Sequence, residues 1–518
     1  MNARRRSLMV GLGLLSAGLL VAAYFVHFRA RWAVARYQRQ LIAAGEILDV
    51  RALCPPPVLP ENNGADIFRE AIGGLAYSKT GDPLDTNAPP AMHMVAPGKA
   101  MVGWAQPDIR VNGTNTWSEI AAALSGYRDA LDVVSDAAEH PNFNFHLDYR
   151  QGFTLLIPHL APLKRSVSLL STETLLALHS GDTAAATTNV QTMLALVNAT
   201  ADERLAISQL VRIAMAAIAM NATWELLQSP KVSDEQLAAI QRGWAGLSFI
   251  EPAEKSLEME RNINLLMLQR MRASAAQFRQ VFSMGGGGSS GTGSAFGIVG
   301  DQLLGGTAAE ARRIEWSICD SYTDQLRMLR GYQILLESYR AVHAGEPFVP
   351  AVSRQDARLI ALWPPAKKQD PDREYFPRGD DLSQFFSSSV VAVSHVVVRV
   401  LNAEVSRELT TTALAIKRYQ LRHGRYPSEL GALVPAFLPA IPRDPADGKP
   451  LRYRLHPDGS FLLYSIGEDG VDDGGDASPA VKTENINWVK GRDYVWPWPA
   501  TAEEVAAYEK QKGAKRKH

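Results

Sequence analysis

Leu8 to Phe28 is a run of 21 residues without a charge. It is long enough to cross a bilayer as a helix, and in lipid a helix is the structure that satisfies its own backbone. Arg4, Arg5 and Arg6 precede the run, and Arg29, Arg31, Arg36 and Arg39 follow it. The two flanks divide the charge vote, and the short basic head before a first span places the N-terminus in the cytoplasm. The competing reading is a cleaved signal peptide, to which Arg5-Arg6-Ser7-Leu8-Met9 adds a twin-arginine flavour. No small-x-small cleavage site precedes a helix breaker, and the apolar pattern runs on through Leu41 and Ile47. The expectation is an uncleaved anchor: a single-pass protein of a bacterial inner membrane, with the bulk of the chain periplasmic.

Five segments follow: an anchor and helical extension at 1–50, a Pro-rich connector and irregular segment at 51–116, an all-helical domain at 117–382, a long helix and small sheet at 383–500, and a basic tail at 501–518. Cys54-Pro55-Pro56-Pro57 and Pro60 make a stiff connector, and Glu61 to Ala65 reads as a capped restart. Thr80 to Thr116, rich in Pro, Gly, Asp and Asn, reads as irregular. Helices are expected at 117–139, 160–180, 183–199, 203–228, 233–245, 252–282 and 308–343, with short joints that make antiparallel neighbours. The turn at Gly181-Asp182 resembles that of tetratricopeptide repeats, but no period of about 34 residues repeats. The body is therefore a helical bundle or an irregular helical array. Residues 283–306, with MGGGGSSGTGSAFG, read as a flexible insertion. Residues 346–381 read as irregular, and 387–401 as the buried start of the long helix rather than a second span.

In that helix Leu401, Val405, Leu409, Thr412, Ile416 and Tyr419 form one stripe. Gly424 stops it, with Arg422 and His423 in the last turn and Pro427 beyond. A second short helix fits Ser428 to Val434. Leu451 to Leu455 and Phe461 to Ser465 then alternate as two strands about the turn His456-Pro457-Asp458-Gly459. Trp488, Trp496 and Trp498 are expected to pack the last strand or cover the sheet edge. The tail from Ala502 reads as a short helix with a frayed basic end. The fold class is mainly α with a small C-terminal α+β domain.

Ala415 to Tyr419, His423-Gly424-Arg425-Tyr426-Pro427, Asp444-Pro445, Asp447 to Tyr453 and Tyr464 to Gly470 occur in the order seen in the major pseudopilin of type II secretion systems. The C-terminal region resembles that family over about 90 residues, less than an ordinary domain. The resemblance implies a pseudopilin-like long helix and antiparallel sheet, and a loop that binds one calcium ion. Asp469 and the Ile466 carbonyl correspond to family ligands by position, while Asp472, Asp473 and Asp476 correspond as a group. True pseudopilins also carry a Gly-Phe-Thr-Leu type cleavage motif with a glutamate inside the apolar helix. The N-terminus here has neither, and Gly152 to Leu156 repeats those letters mid-chain by chance. The chain is thus expected to carry the domain without being a processed fibre subunit.

Independently of the resemblance, Glu468, Asp469, Asp472, Asp473 and Asp476 crowd carboxylates among Gly467, Gly470, Gly474 and Gly475. Calcium takes six to eight hard oxygens from such loops. The alternative is a solvated acidic turn, since Asp and Gly are turn residues anyway.

Net charge is +0, which argues against a broad nucleic-acid surface. The sequence has no HExxH, no Walker A motif and no metal-spaced cysteine pair. His146 with Asp148, and His159 near Lys164, are its local polar groupings, and surface or capping histidines are commoner than catalytic ones. Cys54 and Cys319 leave one bridge open in an oxidising compartment. The preferred reading is a non-catalytic protein held to the membrane by Leu8 to Phe28, binding another envelope protein of a secretion-related assembly. No small-molecule ligand is specified. The alternative is an anchored hydrolase whose site is assembled in the helical domain, which requires a deep pocket with two or more polar groups of shifted pKa.

Overall fold

A computed structural model describes residues 24–75, 84, 89–110, 114–285, 307–363, 385–479 and 488–515. Most of the predicted span and the Gly-rich stretch 286–306 lie outside these residues. The described part is mostly helical, with a small sheet near the C-terminus.

The first described helix, α1 (24–43), continues the apolar run. Tyr24, Phe25, Phe28 and Trp32 on it are exposed, whereas Val34 and Leu41 further along are buried. After a short α2 (Gly64–Ala71), capped by Asn63 through Ala65 N–H, come α3 (Trp117–Ser125) and α4 (Arg128–Ala138). The expected single helix at 117–139 breaks at Gly126-Tyr127. Next are α5 (Leu160–Ser180), α6 (Thr183–Ala199), α7 (Ala206–Leu227) and α8 (Asp234–Ala245), each near its predicted range. Left-handed Gly181 closes α5, and the Asp182 side chain caps α6 at Ala185 N–H. Two helices, α9 (Ile250–Ala273) and α10 (Ala275–Gly285), replace the predicted 252–282, because Ser274 turns extended.

Beyond the insertion, α11 (Thr307–Cys319) and α12 (Ser321–His343) lead to α13 (Phe348–Leu362). The last corrects the irregular reading of 346–381 over its first part, residues 364–381 lying outside the described residues: Pro350 sits in the first turn, where its missing N–H costs nothing. Then α14 (Phe385–Ser394) and α15 (Val396–His423) follow, separated at His395. The predicted stripe is buried at Leu401, Val405, Leu409, Thr412 and Ile416, and Gly424 takes the left-handed cap at φ 71°. The short helix expected at 428–434 is a 3₁₀ turn at Leu430–Leu433.

The first strands, β1 (His93–Ala96) and β2 (Lys99–Met101), form a hairpin where an irregular segment was expected. Pro97-Gly98, with Gly98 at φ 68°, makes the turn. Two further short strands, β3 (Ile109–Arg110) and β4 (Thr114–Asn115), pair with each other. The predicted C-terminal hairpin is β5 (Arg452–Leu455) and β6 (Phe461–Ser465), with Arg452 opposite Tyr464. It is completed by antiparallel β7 (Tyr494–Val495). A final β8 (Trp498–Pro499) runs parallel to β2 and joins the chain's end to its first hairpin. Trp488 and Trp496 are buried, as packing residues should be. The closing helix, α16 (Ala502–Lys515), is docked through Tyr508 Oη, 2.9 Å from His93 Nε2.

One apolar cluster runs from Leu41 to Trp496 and draws on helices α1 to α15. Polar locks fix α15 to the body: Arg418 donates to Asp234 at 2.7 Å and to Gln241 at 2.9 Å. Glu404, buried on the same helix, accepts from Phe249 N–H at 2.7 Å. By length and composition, Ala206–Leu227 and Phe385–His423 are apolar enough to cross a membrane. The first is mostly buried among its neighbours, as a core helix of a folded body is.

Candidate functional site

The acidic loop leaves β6 at Ser465. Its foundation is Asp444, buried, whose carboxylate accepts from Ser465 Oγ at 2.7 Å, Ile466 N–H at 3.0 Å and Arg452 Nη1 at 2.6 Å. Burial raises the Asp444 pKa, and these hydrogen bonds oppose the rise. Arg452 also reaches Asp447 at 2.6 Å and Asp472 at 3.4 Å. One guanidinium on β5 thus serves three carboxylates.

The predicted ligands are close in the chain but differently employed. Asp469 accepts from Val471 N–H at 3.0 Å, Asp472 from Gly474 N–H at 3.1 Å, and Asp476 from Ser478 N–H at 2.9 Å. Each closes its own turn, as Asp does in loops. Asp472 also accepts from Tyr464 Oη at 3.0 Å. Arg492 lies 3.6 Å from Asp473 and 3.8 Å from Asp476. Ile466 is buried against the sheet with its N–H on Asp444. The donors have the hard-oxygen chemistry calcium requires, yet among the described residues no three His, Cys, Asp or Glu side chains converge as a metal group.

Asp493 was not singled out in the sequence, standing 17 residues from the loop's Asp476. It is fully buried and accepts from Gly475 N–H at 2.7 Å and Asp476 N–H at 3.2 Å. Burial raises its pKa, with nearby Asp472 adding to the effect. No local pattern announces it, because the contact is made only when β7 pairs with β6.

A second feature lies between α7, α15 and β1. A cavity of about 650 Å³ opens there, walled by Met92, Met94, Leu210, Ile213, Met220 and Trp488. Its polar groups include Asn221, Arg399, Asn402 and Ser406. Among the described residues the lining contains no carboxylate, thiol or lysine. Burial lowers the pKa of His93 at its edge. Beside it, Glu225 of α7 is fully buried and accepts from Met92 N–H at 2.7 Å and Gly103 N–H at 3.0 Å, fixing the hairpin to the helix. Burial pushes the Glu225 pKa up to about 7 despite these bonds.

Each of the two histidine groupings has a member engaged elsewhere in the fold. His159 is buried, stacked on Phe145 at 3.8 Å and 2.5 Å from Glu203. Asp148 is engaged by Arg150 at 2.7 Å. Cys54 and Cys319 are free, exposed thiols. Compared with protein-family models, curated proteins and solved structures, the chain shows no significant match to any of them.

Proposed function

We propose that the chain is a membrane-anchored extracytoplasmic protein of non-catalytic, protein-interaction type, whose pseudopilin-like C-terminal region belongs to a secretion or envelope assembly. The observation that carries the anchor is α1. Its first two turns expose Tyr24, Phe25, Phe28 and Trp32 beside Arg29 and Arg31, an aromatic and basic collar of the kind found at a bilayer surface. Its far end is clamped to the body by Glu46, so an apolar segment continuous with α1 would hold the body at a fixed attitude.

The order of long helix, antiparallel hairpin, acidic loop and third strand supports the pseudopilin-like reading. Calcium in that loop would be held by Asp469, Asp472, Asp473, Asp476 and the Ile466 carbonyl. Asp472 would first have to leave Tyr464 and Arg452. The cavity between α7, α15 and β1 adds one group of displaced titration, His93, to a lining of apolar, amide, hydroxyl and guanidinium groups, which favours binding over hydrolysis.

The test is cross-linking of the full-length chain in intact cells, followed by detergent extraction and purification. Recovery of envelope or secretion components in fixed stoichiometry supports the reading. A monomer that carries no partner contradicts it.

A further inference from the structure

The cavity exists because small residues meet across two long helices. Ala214 and Ala217 on α7 face it from one side and Ala403 on α15 from the other. Large side chains close its floor: Met92, Met94, Met220 and Trp244 are buried there. The cavity measures about 650 Å³ and is half open to solvent. The volume falls within the range of about 300–1,000 Å³ typical of small-molecule sites.

The polar groups of the lining are rich in donors. Arg399, Asn402 and Ser406 lie on one face of α15 at helical spacing. Asn402 Oδ1 is taken by Tyr494 Oη at 2.9 Å, which leaves its amide N–H₂ to donate. Asn221 and Arg399 make no hydrogen bond or ion pair among the described residues. Arg399 is exposed, and among the described residues it is the one arginine or lysine of the lining, with no carboxylate there. A half-open, largely apolar groove that also carries a guanidinium and amide donors complements a ligand with an aliphatic body and a negative head.

We infer that this cavity binds a single acyl chain with an anionic head, Arg399 and Asn402 holding the head and the α7 wall holding the chain. The head is a fatty-acid carboxylate or a lysophospholipid phosphate, which share this chemistry. Methionine-rich walls suit the role because their unbranched side chains adapt to a kinked or variable chain. The inference does not depend on the pseudopilin-like reading of the C-terminus.

The experiment uses the full chain in lipid nanodiscs and a palmitate carrying a diazirine in its tail, with irradiation and peptide mapping. Labelling is expected in peptide 213–231, which carries the α7 wall. The corresponding alcohol should label it about tenfold less, and Arg399→Glu should reduce palmitate labelling about tenfold, since each removes a charge-assisted contact. Arg399→Lys should retain most of it, and Ala217→Trp should abolish it by filling the space. Both substituted side chains sit on exposed positions, and if Ala217→Trp unfolds the body the Arg399 pair still decides. Displacement by unlabelled palmitate assigns the carboxylate, and displacement by lysophosphatidate the phosphate; either supports an anionic acyl ligand. Equal labelling by acid and alcohol, insensitivity to Arg399→Glu, displacement by neither competitor, or label confined to residues 24–43 would overturn the inference.

Discussion

Glu46 Oε2 lies 2.9 Å from Arg261 Nη1, and both side chains are buried, the arginine completely. The pair joins the turn just after α1 to the middle of α9. Arg340 from α12 reaches the other oxygen at 2.5 Å, and Gln333 donates to it at 3.0 Å. Arg261 and Asn262 also donate to the Ile47 carbonyl, at 3.1 Å and 2.9 Å. The junction between α1 and the body is therefore a desolvated polar clamp rather than a hinge.

Removing one partner of a buried ion pair leaves the other unpaired. Glu46→Ala should destabilise the body by about 3–5 kcal/mol. Chemical denaturation should show the loss, and Arg340→Ala, whose side chain is partly exposed, should cost less.

The same carboxylate predicts an acid limit. Burial raises the Glu46 pKa, but Arg340, Arg261 and Gln333 outweigh it and hold it at about 2. A carboxylate depressed in the folded state gives stability that is complete above its unfolded pKa and lost as pH falls toward 2. Wild-type protein should lose stability between about pH 4.5 and pH 2 more steeply than Glu46→Gln. Denaturation midpoints across that range check it.

Glu225 has the opposite sign. With its folded pKa at about 7, its contribution is present below the unfolded value and is lost as pH rises through neutrality. Stability should fall between pH 5 and pH 8 by up to about 3 kcal/mol from this group. Glu225→Gln should flatten that slope while retaining an acceptor for Met92 and Gly103. A variant with the wild-type slope would remove Glu225 as its source.

Much of the helical layout could be read from apolar spacing and end signals. Asp182, Gly181 and Gly424 marked their boundaries because capping is local chemistry. The α15 stripe was legible because one helix face meets one core. What escaped depends on contacts distant in the chain. The parallel pairing of β8 with β2 joins residues 498 and 99, and no local pattern encodes it. Asp493 reaches the acidic loop only through the pairing of β7 with β6. Breaks at Tyr127, Ser274 and His395 fell inside continuous apolar patterns, where periodicity alone predicts one helix. The loop carboxylates were legible as a cluster, but their division between turn closure, Arg452 and Arg492 needed the fold.

The loop yields a direct ligand prediction. Calcium at millimolar concentration should raise the melting temperature of the full chain by a few degrees, as expected for a weak extracellular-type site. Magnesium should not reproduce the shift, and Asp472→Asn should remove it. Thermal scans with and without chelator check this, and an unchanged melting temperature would leave the loop as a self-satisfied turn.

The proposed placement of the body outside the cytoplasm is tested most directly by its own two cysteines. Cys54 and Cys319 are free and exposed, and burial of their surroundings raises both thiol pKa values, so labelling is best done at mildly alkaline pH. Intact cells treated with a small membrane-impermeant maleimide should modify both thiols to the same extent as permeabilised cells. Modification only after the inner membrane is broken would put the body in the cytoplasm and contradict the account.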